Sequence, residues 1–464
     1  MTDTKGWAAL PFELQLIIAS LLDRNDLKCL RSIHSRRGLA ATAILFSTVH
    51  ISPNTRSFAR ALQVAQEPHL ASYVRRLVYH IGIIEAVYGT DTYYGEEDNF
   101  YEQVYQYECY LEEIDAQEAF LELDEIEELS RLTSRLNNLE SIATIRDEYD
   151  PFLPPHGYIE QRTGLPAIGF FEGRPFASLF EATAGSSINK LQGEALSWGV
   201  FADVNALPDT SLRLGRLKEL SLGLYITELS NCNDPRDTLQ AMGHFLGHCT
   251  NLEALSLDFD EFPFDILSKY YECVSRASLY KCRFPRLTRL SLRGLITYED
   301  KFIYFLEAHS STLVDLTLAD LMVVRTSNEK DSVSSTLSAS IVGEKYSSST
   351  GSVVSVFQRI HDVCNLKRVR LRGNFTNRFD ESWYVYESIS EGFVPQIRRF
   401  LCRQGPSPFP ALGEYCQMQE DTMKDWDPPP YDPEDLGPNG FGPHPAAEQF
   451  CDDSWEWCPE LLSR

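Results

Sequence analysis

The sequence lacks the short motifs by which many enzymes that bind nucleotides, zinc or acyl groups are recognised. It contains no GxSxG, GxGxxG, GxxxxGK[ST] or HExxH segment, so the usual nucleophile, phosphate and zinc sites have no counterpart here. His244 and His248 are four residues apart, as metal ligands on one helix face would be. They directly precede a strand-like segment, where polar residues at a helix end are expected, so we predict no metal site. We therefore expect neither catalysis nor a cofactor.

Paired cysteines, long apolar runs and basic residues are also scarce. The eleven cysteines include no CxxC pair, which favours reduced thiols over a secreted disulfide framework. The N-terminus has no basic leader, and the apolar residues 14–22 make up less than half of a membrane span. Acidic residues outnumber basic ones 67 to 42, for a net charge of −25, which repels phosphate backbones. We expect a soluble cytoplasmic or nuclear protein that binds neither nucleic acid nor membrane.

The chain does contain a recurring LxxLxL pattern. Its second and third apolar positions have the period-two spacing of a strand. A strand with a helical return covers its apolar face only against neighbouring repeats, so the pattern predicts stacked units of an irregular α/β solenoid. The five copies begin at Leu217, Leu252, Leu287, Leu313 and Leu366, and weaker copies begin at Val74 and Leu139.

Arginine is concentrated between the apolar positions of the later copies. Guanidinium groups bind carboxylates and phosphates bidentately, so we expect these arginines to form a surface for an acidic or phosphorylated partner. Alternatively, they pair internally with acidic residues of the C-terminal tail or of residues 85–128. The arginines concerned are Arg289, Arg293, Arg368, Arg370 and Arg372.

Residues 85–128 hold sixteen acidic side chains and no basic one. The apolar spacing from Tyr101 to Leu139 predicts one long amphipathic helix in the later part of this stretch. A solvated acidic helix face explains the charge, and we favour it over a dedicated site for a basic partner.

Two segments differ in composition from the rest. Residues 326–352 are rich in Ser and Thr, as in a flexible insertion. Residues 405–464 form a Pro-rich acidic tail that is unsuited to regular helix or central strand. Within the tail, Pro428, Pro429 and Tyr431 belong to a PPxY sequence, which is a polyproline-II ligand for WW domains.

The N-terminal residues predict three short helices. Leu14, Ile17 and Leu21 share one face of the first helix with Ile18 and Leu22. Asp26 is the expected cap of the second helix, and a third apolar run begins at Leu39. About forty residues are too few for a stable independent core, so the apolar faces must cover another surface, in this chain or in a partner.

This segment, residues 1–52, resembles an F-box. The matching features are Leu10-Pro11, Glu13-Leu14, Ile17, Leu21-Leu22, Asp26-Leu27, Leu30, Leu39 and Leu45-Phe46. The resemblance implies docking onto the Skp-family adaptor of a cullin–RING ubiquitin ligase. The residues implied in adaptor binding are Leu10, Pro11, Leu14, Ile17, Ile18, Leu21, Leu22, Leu27, Leu30, Leu39 and Leu45.

The order of segments is similar to that of the F-box proteins that filamentous fungi encode in large numbers. Residues 53–404 resemble degenerate leucine-rich repeats, which would recruit a client for ubiquitination by other subunits. The resemblance thus implies a non-enzymatic substrate-recognition subunit of an SCF-type ligase. The alternative is an interaction scaffold in which the F-box-like segment caps the solenoid. An exposed apolar face within residues 1–60 would favour a partner, and a covered face would favour a cap.

Overall fold

The protein is a mixed α/β chain with two compact units, Met1–Leu224 and Tyr225–Arg464, called unit 1 and unit 2 below. Each unit contains parallel strands connected by helices. The computed structural model describes residues 10–33, 39–83, 100–146, 169–170, 174–224, 235–259, 279–324, 353–377, 382–385 and 393–409.

Unit 1 opens with three short helices and continues with strands separated by helices. Its helices are α1 (Phe12–Ala19), α2 (Arg24–Ile33), α3 (Leu39–Leu45), α4 (Thr55–Gln66), α5 (Pro68–Ala71), α6 (Phe100–Leu121), α7 (Glu125–Thr133), α8 (Arg174–Ala182), α9 (Val200–Ala206) and α10 (Thr210–Leu214). Its strands are β1 (Thr48–Ile51), β2 (Arg76–His80), β3 (Gly82–Ile83), β4 (Ser141–Ile145), β5 (Gly169–Phe170), β6 (Lys190–Leu196) and β7 (Glu219–Leu224).

Unit 2 has the same alternation of strands and helices. Its helices are α11 (Pro235–His248), α12 (Glu299–His309), α13 (Val353–Val363) and α14 (Phe393–Leu401), with a short 3-10 turn at Leu279–Lys281. Its strands are β8 (Ala254–Phe259), β9 (Arg289–Arg293), β10 (Ile296–Tyr298), β11 (Asp315–Val324), β12 (Arg368–Asn377) and β13 (Ser382–Val385).

The main strands follow one another in chain order. In unit 1 the order is β1-β2-β4-β6-β7, and all neighbours are parallel. In unit 2 the order is β8-β9-β11-β12-β13, and only β13 is antiparallel to its neighbour. Every LxxLxL copy, including the weaker ones, becomes a strand that starts at its third residue. The strands predicted from the pattern are thus confirmed.

One backbone arrangement recurs between neighbouring strands. The carbonyl oxygen of Glu140, the second residue of its copy, accepts the N–H groups of Asn189 and Lys190 at 2.9 and 3.2 Å. This double acceptance fixes where the next strand begins, so the apolar positions stay in register. The same carbonyl position accepts two N–H groups at Ser47, Arg75, Asn189, Glu253, Thr288 and Val314.

In-register apolar side chains form the core of each unit. They lie one above the other because matching positions of neighbouring strands are about 4.8 Å apart. The layer of unit 1 contains Val49, Leu77, Ile142, Leu191 and Leu220. The layer of unit 2 contains Leu255, Leu290, Leu316 and Val369.

Two of the parallel main strands were missed by the leucine pattern. The segment that forms β1 has Phe46, Val49 and Ile51 at the three positions where the pattern has leucine. β6 has Gly193 in place of the last leucine. A Cβ at Gly193 would lie 2.8 Å from the Phe176 ring, so that ring occupies the space that a leucine fills elsewhere.

The predicted long helix of residues 101–139 is wrong, because the structure breaks it after Leu121. The carboxylate of Asp124 accepts the backbone N–H groups of Ile126 and Glu127 at 3.0 and 3.1 Å. These bonds satisfy donors of a new first turn, so α7 starts there.

Four strands share a backbone irregularity. The residue five positions after the strand's first residue has a positive φ: Ala195 in β6, Gly294 directly after β9, Asp320 in β11 and Gly373 in β12. At Gly294 (φ +63°) a Cβ would collide with the carbonyl oxygen of Phe259. Glycine is required there by both space and conformation.

Replacement of Gly294 by alanine should therefore destabilise unit 2. We expect Gly294→Ala to cost about 1–3 kcal/mol and to lower the Tm of thermal unfolding. Gly247→Ala is the matched control, because Gly247 is exposed in α11 and a Cβ added there would meet no atom within 4 Å. An equal Tm for both variants would contradict the requirement for glycine at position 294.

A buried histidine connects α12 to the turn before β9. The Nδ1 of His309 lies 2.7 Å from the carbonyl oxygen of Phe305, and its Nε2 accepts the backbone N–H of Phe284 at 3.0 Å. These partners assign a neutral ring with the proton on Nδ1. Burial lowers the pKa of His309 below its ordinary value; the Phe305 carbonyl opposes this shift and the Arg283 charge adds to it.

A lower pH should weaken the connection that His309 makes between α12 and the turn before β9. Since the folded-state pKa of His309 lies below the unfolded value of about 6.5, the unfolded chain binds the proton more readily. Stability is then lost as the pH falls from about 6.5 towards the folded-state pKa. We expect His309→Asn to show a smaller fall in Tm between pH 7.5 and 5.5 than the unmodified protein. His248→Asn, at an exposed position, should retain the full fall, and identical pH profiles for all three proteins would refute the assignment.

Candidate partner-binding surfaces

Helix α1 begins immediately after Leu10-Pro11. Pro11 is the residue before the helix, and its carbonyl accepts the backbone N–H of Gln15 at 3.1 Å. The Gln15 side chain donates to the carbonyl oxygen of Leu10 at 2.9 Å. This bond fixes the entry of the chain and satisfies a buried amide.

Helices α1–α3 share a small core of their own. Its buried members are Ala19, Leu27, Ala40 and Ala41, and the half-buried Leu16, Leu22, Leu30, Ile44 and Leu45 pack against them. Small side chains on α3 let the helices approach closely, so few large residues are needed. The second helix is capped by Asp23, whose carboxylate accepts the N–H of Asp26 at 2.8 Å. The helix therefore begins one turn before the predicted cap at Asp26, and that prediction is wrong.

The opposite side of α1 and of the turn after it carries a row of uncovered apolar side chains. We call these residues the α1 patch: Leu14, Ile17, Ile18 and Leu21. Phe12 is also exposed, at the start of the helix, but it lies on the side of Leu16 and Ala19. Ile17 is 58% exposed and Leu21 is 81% exposed. Scattered apolar residues are normal on a surface, but a contiguous row is typical of an interaction site.

The structure divides the residues implied in adaptor binding into two groups. Leu14, Ile17, Ile18, Leu21 and Leu39 are exposed, as is Pro11, and Leu10 is half-buried. Leu22, Leu27, Leu30 and Leu45 lie instead in the core of the three helices, where they stabilise the segment. Phe12 joins the exposed group and was missed, although it directly follows Leu10-Pro11.

The arginines predicted on the repeat strands lie on one face of unit 2. Strand β11 separates the two arginines of β9 from the three of β12. Asp315 is level with both Arg289 and Arg368, and Ala319 is level with both Arg293 and Arg372. Thr317 is level with Arg370, in the row between them. The sheet therefore brings the five predicted arginines together.

Carboxylates of neighbouring strands hold two of these arginines. The guanidinium of Arg368 donates from Nη2 to Asp315 at 2.8 Å. Arg293 contacts Asp258 at 3.4 Å and Asp320 at 3.3 Å. Burial by itself would lower the pKa of Arg293, but the two carboxylates raise it above its ordinary value. Internal pairing thus occurs, with partners in adjacent strands. The role of Asp258 was missed because it follows from strand register, and that of Asp320 because it follows from the irregularity after Ala319.

The equivalent face in unit 1 is less accessible. There the outward row begins at the exposed His50 of the edge strand and continues through Val78, Ala143, Gln192 and Ser221, which are buried. In unit 2 the row of Ser256, Ser291, Thr317 and Arg370 is half-buried. The accessible polar sheet face is therefore the one that carries the arginines.

Other predicted sites lie elsewhere. Pro428, Pro429 and Tyr431, the Ser-rich residues 326–352 and the tail beyond Phe409 are outside the described residues. In the part of the chain that the structure describes, no group of three or more His, Cys, Asp or Glu residues could hold a metal ion. None of the described helices has both the length and the apolar character needed to cross a membrane.

Comparison with known proteins adds no family to these observations. The chain matches no protein-family model, and no curated protein matches its sequence. The α1 patch and the arginine-bearing face of unit 2 are therefore the features from which a function is argued.

Proposed function

We propose that this protein is the substrate-recognition subunit of an SCF-type ubiquitin ligase. In this proposal the N-terminal helices are an F-box that docks the Skp-family adaptor, and the repeats, as degenerate leucine-rich repeats, recruit a client. Ubiquitin transfer is carried out by other subunits, and this chain contributes binding alone. The observation that carries the proposal is the α1 patch.

The packing of α1 supports a partner for this surface. Ala19 lies in the core of the three helices, and Leu16 packs against it, so this side of α1 already has its contacts. Ile17 and Leu21 belong to a second apolar row, which the described chain leaves uncovered. A helix that is apolar on both sides needs cover on both.

The magnitude of this burial is sufficient for binding. Full burial of one Leu or Ile side chain contributes about 1.5–3 kcal/mol. Association costs at least several kcal/mol in lost motion, so the surplus must come from several such residues together. The α1 patch supplies four of them on one helix and its following turn.

The same exposure argues against the alternative of a solenoid cap. A cap stabilises repeats by covering their apolar end, and it would use its own apolar face to do so. The α1 patch is instead turned to solvent, with Leu21 81% exposed.

Adaptor binding tests the proposal directly. We expect the triple variant Leu14→Ala, Ile17→Ala, Leu21→Ala to bind a purified Skp-family adaptor at least about a hundredfold more weakly, because central apolar residues dominate such interfaces. Affinity is measured by titration calorimetry with the full chain. The control is Leu212→Ala, at another leucine that is 59% exposed.

Folding is checked in parallel by circular dichroism and by the Tm. A folded triple variant that binds the adaptor as tightly as the unmodified chain would overturn the proposal. So would an unmodified chain that does not bind the adaptor at all.

A further inference from the structure

The connection between α6 and α7 in unit 1 carries three exposed apolar side chains. They are Leu121, Leu123 and Ile126, and they are between 37% and 52% exposed. Only residues 122–124 separate the two helices. The Cα atoms of Leu121 and Leu123 are therefore at most about 7 Å apart, and those of Leu123 and Ile126 at most about 11 Å. One short peptide can reach all three. We call residues 118–127 the elbow.

Buried side chains fix the elbow from its inner side. The Phe120 ring stacks on that of Phe58 in α4, with 4.6 Å between the ring centroids. The buried carboxylate of Glu125 accepts hydrogen bonds from the hydroxyl groups of Tyr79 at 2.6 Å and Ser178 at 2.9 Å. Both helices are thus anchored where they meet, so the exposed apolar residues sit on a rigid support. A surface that is ordered before binding loses little conformational entropy when it binds.

Acidic side chains surround these apolar residues. The exposed acidic residues of the elbow are Glu118, Glu122, Asp124 and Glu127. Within the described part of the chain, none of these four carboxylates forms an ion pair, and residues 85–128 hold no basic side chain. A solvated acidic face accounts for the carboxylates, but it gives no role to the apolar residues among them. Exposed apolar residues rimmed by polar ones are typical of an interaction site.

The charge at the end of α6 is unfavourable for the helix itself. Carbonyl groups at a helix C-terminus carry partial negative charge, so cations stabilise this end and anions destabilise it. The last turn of α6 contains Glu118 and no basic residue, and Glu122 follows the helix directly. A cation supplied by another molecule would reverse this cost. Positions that break a local stability rule are often the functional ones.

Charge also decides which molecule fits the elbow. A second copy of the elbow would bring like charges together, which costs free energy. The C-terminal tail of this chain is repelled for the same reason, since residues 414–464 hold thirteen acidic and two basic side chains. A ligand with basic residues beside apolar ones instead complements both the carboxylates and the apolar side chains.

We infer that the elbow binds a short segment of a partner protein in which Lys or Arg residues flank apolar residues. The apolar residues of the segment contact Leu121, Leu123 and Ile126. Its cations lie beside Glu118 and Glu122, at the carbonyl end of α6. This inference goes beyond the proposed function and does not depend on it, because the α1 patch has no part in it.

Peptide binding to the full chain tests the inference. The probe is a blocked fluorescent hexapeptide with two central leucines and two lysines on either side. A second peptide has serines in place of the leucines, and a third has glutamates in place of the lysines. Binding is followed by fluorescence anisotropy at low and physiological salt. We expect the leucine–lysine peptide to bind, the serine peptide to bind at least about tenfold more weakly, and the glutamate peptide not to bind.

A first pair of double variants tests the apolar contact. Leu123→Ala with Ile126→Ala should weaken binding of the leucine–lysine peptide about tenfold, because two apolar side chains no longer cover the ligand. The matched control is Leu111→Ala with Leu212→Ala, at two exposed leucines outside the elbow. This control should leave the affinity unchanged.

A second pair of double variants tests the charge. Glu118→Gln with Glu122→Gln should weaken binding about fivefold at low salt and less at physiological salt. The same variant should not lower the Tm, because the end of α6 loses two unfavourable anions. Asp203→Asn with Glu307→Gln, at two exposed carboxylates elsewhere, removes the same charge and should retain the affinity.

Equal affinity for the leucine and serine peptides would overturn the apolar contact. Equal affinity of the elbow variants and their controls would overturn the site. A dimer of the unmodified chain that the elbow variants dissociate would make a second copy the occupant and overturn the partner. The Skp-family adaptor is titrated in parallel. An unmodified chain that binds the adaptor but not the peptide refutes this inference alone, and one that binds the peptide but not the adaptor refutes the proposed function alone.

Discussion

The register between parallel strands is the constraint on which the rest of the structure depends. A carbonyl such as that of Glu140 accepts two N–H groups of the next strand, and this sets the start of that strand. The apolar positions then stack on one side, and the positions between them align on the other. The core layers and the rows of polar residues are two results of one backbone pattern. Arg293 meets Asp258 because of that alignment.

The N-terminal helices follow a different principle. Their core is made largely of alanines and a few leucines, so it uses only part of the apolar surface that the helices carry. The remainder, the α1 patch, faces solvent. A segment this small gains little stability from its own core. A partner that covers Ile17 and Leu21 would therefore stabilise the helices as well as bind them.

The sequence predicted the repeat strands well because leucine burial and strand periodicity are local. It failed where neighbours decide the outcome. Gly193 stands where the five LxxLxL strands have a leucine because Phe176 fills that space, and Asp124 ends a predicted helix by capping a new one. For the site, the apolar row of α1 and the five arginines were predicted, since spacing alone places them on a face. Leu27 was assigned to the surface but lies in the core, because spacing cannot tell which of two apolar rows a neighbouring helix covers.

The final strand of the array runs against the others. β13 pairs with residues Gly373–Thr376 of β12 in the antiparallel direction. The strands β8, β9 and β11 pair with one another at the level of Arg368–Arg372, so β13 covers only the later part of the outer edge of β12. The reversed strand thus shortens the stretch of that edge along which a strand of a second molecule could add end to end.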